Sequence, residues 1–463
     1  MQPGTDSSFG DGPPLQRRTT RYCVRWSRAL ATNAALLCSF VFPIVAASSA
    51  RASFFVRYVV SVPQPGADVL RVRWELAGAN EVTTLELVDR EHSLRNIAAT
   101  GEIRPTDGGW LWAPNGPYAH LAYEVAVNRL RGQQARYDSY SHPQWVVTRG
   151  RLLFPLTRIV YRKPATPSST DGPTQDALLY FQLPAGWSAA TPYPRATQAH
   201  AFRLSKPRGI PLPRGWIALG RFAREEREVA GVHFEFARMP GSGLDAESLF
   251  SFLDATFPLL LNLFPERRDR SLNRVLVVSA PDPMWHGGIS GFRSLFLHGQ
   301  RPLRDVDRTS PILHELFHVF QPFRPATDAD WIVEGLAEFY SLELQRRAGI
   351  LDHKAYNQAL RSFRRYGSWG VDLRQQRDNA ATNNSAPLVF HALDQELLRI
   401  TGGNQGLDQV VALLAREDGR VGSLRFASLA AQVAGRPLDA FFRKHVYHGQ
   451  PPKVASDGAA TVR

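Results

Sequence analysis

The run S-P-I-L-H-E-L-F-H-V-F, from Ser310 to Phe320, places His314 and His318 four residues apart with Glu315 between them. On a helix, that spacing sets both imidazoles on one face, close enough to share a metal ion. H-E-x-x-H is the pattern in which two histidines hold zinc and the glutamate serves as general base. A catalytic zinc takes three protein ligands and keeps a fourth position open. Sixteen residues beyond His318, the run W-I-V-E-G-L-A-E-F-Y offers Glu334, with Glu338 one turn later on the same face. An acid set in so apolar a segment is not an ordinary solvated carboxylate. The chemistry within reach is hydrolysis by a metal-activated water.

These residues need elements that hold them still. Ser310 caps the first helix and Pro311 suits its first turn. Leu313, Leu316, Phe317 and Phe320 make that helix apolar enough to be buried. A second helical pattern opens at Glu334, with Trp331, Leu336 and Phe339 as its apolar side. Upstream, Asp245 to Phe264 is helical and Arg274 to Ala280 reads as a buried strand. His286 to Gly291 (H-G-G-I-S-G) then leads into a strand over Phe292 to His298. Gly287 and Gly288 permit another backbone to approach closely, or simply form a turn before a core strand. From Ser53 to Met239 the pattern is β, with Leu70, Val72, Trp74 and Leu76 alternating with Arg71, Arg73 and Glu75. Lys163 to Asp176 reads as a loop. Beyond Tyr340 the chain is helical, over Asp352–Tyr366, Ala386–Thr401, Leu407–Arg416 and Leu424–Val433.

The chain has 463 residues, 44 % of them hydrophobic and 21 % charged, which is ordinary for a globular protein of two or three domains. The first 52 residues differ. Arg17 to Arg28 is basic, Ala29 to Ala47 is apolar, and A-S-S-A-R-A-S follows. This is the order of a secretory signal, with cleavage after Ala50 or Ala52, or of an uncleaved anchor. Both cysteines, Cys23 and Cys38, fall within it, so the exported chain would rely on no disulfide. The leader has six Arg and two Asp, +4 of the net +13, and the remainder carries +9. Its arginines are scattered, with no basic block interleaved with aromatics, and no nucleic-acid partner is expected.

H-E-L-F-H followed by W-I-V-E-G-L-A-E-F-Y resembles the gluzincin metallopeptidases, most closely the glycyl aminopeptidase family and next the aminopeptidase N family. The resemblance implies Zn2+ held by His314, His318 and Glu334, with Glu315 as the base. It implies that Glu338 orients a zinc histidine from outside the ligand set. In gluzincins a strand beside the active helix pairs with the substrate main chain. Gly287-Gly288-Ile289 resembles the start of the family motif G-G-L-E, whose glutamate holds the substrate amino terminus; Ser290 stands where that glutamate would be. The family also has Y-Y-x-K-G before a late helix, and its tyrosine bonds the oxyanion. Here that stretch is Thr382-Asn383-Asn384-Ser385-Ala386, without a tyrosine. Asn383, Asn384 or His391 could donate instead, or the stretch is simply a polar loop.

The expected architecture is α+β: a signal over 1–52, an N-terminal all-β domain over 53–240, a thermolysin-like zinc-peptidase catalytic domain over 241–345, and C-terminal helices over 346–463. The expected function is that of an exported peptidase, periplasmic or secreted, acting on peptides or proteins with altered or reduced aminopeptidase specificity. It would touch a membrane only through an uncleaved leader. The alternative is a degenerate relative that binds peptides or envelope partners without cutting them.

Overall fold

The computed structural model describes residues 54–454, apart from 92, 133–134, 162–174, 207–208, 266–271, 378 and 418. The expected leader and most of the expected loop at 163–176 lie outside these residues. Strand Gln175–Gln182 takes the last two residues of that loop's span.

Three sheets build the first part. The largest has six strands, in the order 201–206, 175–182, 55–61, 69–77, 118–126, 94–99. In strand Val69–Ala77, Leu70, Val72, Trp74 and Leu76 are buried while Arg71 and Arg73 are exposed, so the alternation in the sequence is the cause of its one-sided burial. Strand Phe55–Ser61 pairs in parallel with Gln175–Gln182 and antiparallel with Val69–Ala77. A four-stranded and a five-stranded sheet complete this part. Strand Trp145–Arg149 gives way to a helical turn over Gly150–Leu153. A Cβ at Gly150 would stand 2.4 Å from the Pro213 carbonyl oxygen, and the chain bends where only glycine fits.

A second five-stranded sheet carries the site. It runs β1 (Ala223–Val229), β2 (Val232–Arg238), β3 (Arg274–Ala280), β5 (Ser294–His298), β4 (Gly288–Gly291). β2, β3 and β5 are parallel to one another, and β4 is antiparallel to β5 on the edge. The hairpin β1–β2 therefore belongs to this sheet, although it precedes the expected boundary at 240. The described residues fall in one compact unit.

Helices cover this sheet. Asp245 caps α1 (Ala246–Leu263), its side chain accepting from Ser248 N–H at 2.8 Å. α2 is Pro311–Phe320 and α3 is Asp330–Arg347. α3 begins a turn before the Glu334 start expected from the sequence, because Trp331, Ile332 and Val333 are already buried. α4 (His353–Tyr366) and α5 (Ala386–Ile400) follow, then shorter helices. Aromatic contacts tie the layers together: Phe257 meets Phe320 edge-on at 5.1 Å, and Phe317 stacks on Tyr340 at 5.6 Å. Among the described residues no helix is long and apolar enough to cross a membrane.

Candidate functional site

α2 explains its own placement. The Ser310 side chain caps it, Pro311 occupies the first turn, and Ile312, Leu313, Leu316, Phe317 and Phe320 are buried. His314 and His318 are left on the remaining face, with side chains 17 % and 12 % exposed. α3 crosses beside them. Its Gly335 lets α5 approach: a Cβ there would stand 2.6 Å from Ala386 Cβ and 2.7 Å from Phe390 Cε2. Phe390 in turn stacks on Trp331 at 5.2 Å. The neighbouring Glu334 is thereby aimed away from that packing and toward the histidines.

Three donor atoms meet. His314 Nε2 and His318 Nε2 are 3.0 Å apart, and Glu334 Oε2 lies 3.3 Å from the first and 3.4 Å from the second. Glu338 Oε2 lies 2.7 Å from His314 Nδ1. A carboxylate only accepts, so Nδ1 carries a proton, and Nε2 is the nitrogen whose lone pair an ion would take. Burial alone would pull the His314 pKa down; hydrogen bonding to Glu334 and Glu338, with the charges of Glu338 and Glu315, outweighs it and raises it well above the usual histidine value. For Glu334, burial is likewise overcome by the charge of His318 and by hydrogen bonds from both histidines, and its pKa is lowered far below the usual carboxylate range. The field thus favours positive charge at the centre of the three donors. A tetrahedral ion with bonds of about 2.1 Å separates its donors by roughly 3.4 Å. The donor set and spacing fit such an ion.

A cleft of about 670 Å³ opens over these residues. It is lined by His314, Glu315, His318, Glu334 and Glu338, and on its other wall by Gly287, Gly288 and Ser290. The strand expected to face a substrate, Phe292 to His298, does not do so. β5 has β3 on one side and β4 on the other, and the open edge is β4 itself. His298 N–H donates to Gly287 O at 3.1 Å, which marks those residues as a hydrogen-bonded pair. Alternation along the ladder then leaves the N–H and C=O of Gly288 and Ser290 on the open side. Gly288 passes tightly over the acid: a Cβ there would stand 2.7 Å from Glu315 Cγ. Trp216, from the first part of the chain, props this edge, its backbone N–H donating to Ser294 Oγ and its indole N–H to Ile289 O.

The late polar stretch divides. Asn383, in a wide helical turn over Ala381–Ser385, lines the cleft. Asn384 and His391 do not line it, and His391 Nδ1 sits 3.3 Å from the Tyr356 hydroxyl. The cleft also contains residues that neither motif nor periodicity singles out. Asp305 and Asp307 come from a loop of alternating charge that looks like solvated surface, and Asp305 is held by Arg301. Arg131 arrives from the first part, and nothing local in its sequence points to the cleft.

No family model and no curated protein sequence matches the chain. Solved structures do. An aminopeptidase N family protein from Idiomarina loihiensis superposes with a TM-score of 0.66 at 15 % identity, covering 86 % of this chain and 77 % of that one. An M1 zinc metallopeptidase from Deinococcus radiodurans gives 0.58 at 16 % identity, covering 88 % and 97 %. A point mutant of the Deinococcus radiodurans M1 zinc metallopeptidase, bound to a Tyr-Ser-Ala substrate, gives 0.57 at 15 %, covering 87 % and 96 %. The chain has the fold of these M1 metallopeptidases over nearly all its described length.

Proposed function

We propose that the protein is a zinc-dependent peptidase in which His314, His318 and Glu334 hold the ion and Glu315 is the general base. The convergence of the three donor atoms beside Glu315, under an open strand edge, carries this reading. The likeness to M1 zinc metallopeptidases supports it. Bound zinc would polarise a peptide carbonyl and lower the pKa of a water molecule. Glu315 takes the proton of that water as it attacks, then returns it to the leaving amine. Glu338 fixes the His314 ring. An extended substrate adds to β4 through the free N–H and C=O groups of Gly288 and Ser290. Asn383, which lines the cleft, donates to the oxyanion that forms in this reading.

Ser290 supplies no carboxylate for a substrate ammonium, so the reading includes reduced dependence on a free amino terminus. The narrower likeness to glycyl aminopeptidases rests on the sequence motifs. Export rests on the order of residues 17–52, and amino-terminal sequencing from the native envelope tests it: a chain beginning at Arg51 or Ser53 is expected, and one retaining residues 29–47 is not.

The central test is metal analysis beside a peptide-library digest. The expected result is stoichiometric zinc with cleavage, loss of metal in His318→Ala, and retained metal with lost turnover in Glu315→Gln. A zinc-loaded protein that binds library peptides but cuts none would replace this reading with that of a binding protein.

A further inference from the structure

A second group of potential ligands lies beside the turn that leads into β4. Asp282 and His286 sit in the turn that follows β3, and His298 ends β5. One ligand atom from each lies within 4.8 Å of the others. His286 Nε2 is 2.7 Å from Asp282 Oδ1, and His298 Nε2 is 3.9 Å from the same oxygen. The two imidazole rings are 4.2 Å apart.

His298 is the informative member. Its side chain is 1 % exposed, and its Nε2 has no hydrogen-bond partner among the described residues. Buried polar atoms are nearly always satisfied, so an orphan aimed at a carboxylate beyond bonding distance needs an explanation. A surface network of His286, Asp282 and Arg136, whose Nη1 is 3.3 Å from Asp282, is complete without it.

We propose that Asp282, His286 and His298 form a second site for a divalent transition-metal ion, separate from the His314–His318–Glu334 cluster. Two imidazoles and one carboxylate suit zinc, copper or nickel, and not magnesium or calcium. Gln300 N–H lies 3.3 Å from His298 Nδ1, so in the metal-free protein the ring proton is on Nε2. An ion replaces that proton, which moves to Nδ1 at the expense of this long contact. The adjacent Arg136 guanidinium also opposes a cation. Both make the site the weaker of the two. Because His298 N–H holds Gly287 O, an ion here ties the turn that leads into β4 to the interior of the sheet.

The test is calorimetric titration of the metal-free full chain with Zn2+ alone, with Mg2+ as control. A second, weaker zinc step is expected in the native protein. His286→Ala and Asp282→Asn, both at half-exposed positions, should lose it while keeping the tighter step. His318→Ala should lose the tighter step and keep the weaker one, which separates this proposal from the active-site reading. A weaker step absent from the native protein, or surviving both His286→Ala and Asp282→Asn, would overturn it and leave a bridging water as the partner of His298.

Discussion

The Glu338 carboxylate meets His314 Nδ1 at 2.7 Å, and this single contact decides which nitrogen of that ring faces Glu334 and His318. Removing it frees the ring to rotate and to change tautomer. Glu338→Ala should weaken zinc affinity by about 10- to 100-fold without abolishing it. Competition with a chelator of known affinity measures this, and unchanged affinity would deny Glu338 any part in holding the ring.

Gly288 sets the clearance over Glu315. A methyl group there would reach within 2.7 Å of Glu315 Cγ and 2.8 Å of its Oε1. The side-chain end can swing aside, so the fold survives, but the proposed base moves from its place. Gly288→Ala should keep its zinc and its melting temperature and lose turnover by roughly 10- to 100-fold. Steady-state kinetics beside metal content tests this, and full activity would mean the base has room to spare.

In the proposed reaction, Ser290 bears on the substrate's end. A charge-assisted hydrogen bond to an ammonium contributes about 1.5–3 kcal/mol, or one to two orders of magnitude in rate. Without it, a peptide and its N-acetylated twin should be cut at rates within about tenfold of each other. Stepwise cleavage of the free peptide alone would show that another acid, such as Asp305 or Asp307, takes the amine.

Glu343 offers a test of the scaffold. It is 3 % exposed and paired with Arg346 at 2.7 Å and Arg347 at 2.8 Å. Burial would raise its pKa, but hydrogen bonding to Arg346 and the charges of both arginines lower it to about 2. A carboxylate whose folded pKa lies below its unfolded one adds stability at neutral pH. That contribution fades as pH falls from about 4.5 toward 2. Glu343→Gln should therefore cost about 3 kcal/mol at pH 7 and progressively less in acid. Thermal melts of both proteins across that range would show the gap closing; a constant gap would contradict the pairing.

The helical half of the site is readable in the sequence, because four-residue spacing on a buried helix leaves little freedom in where two side chains point. The strand half is harder. Periodicity locates an apolar strand ending at His298, but it cannot say which strand is an edge, since that depends on pairing between distant segments. Gly288 to Gly291 is four residues long, too short to show a period, and its glycines suit a turn equally well. The position of the hairpin at 223–238 is hidden for the same reason: its partner β3 lies more than thirty residues downstream, across α1. Asn383, Asn384 and His391 look equivalent by composition; the first two share the wide helical turn before α5, and only the phase of that turn brings Asn383 to the cleft.

The shortness of β4 has a further consequence. Its two outward-facing positions can read only that a chain is stretched out, and only over a residue or two. In the proposed reaction, helices and compact domains would have to unwind before being cut. Such a protein would sort its targets by conformation more than by spelling, taking loose ends and unfolded stretches and sparing whatever is already folded.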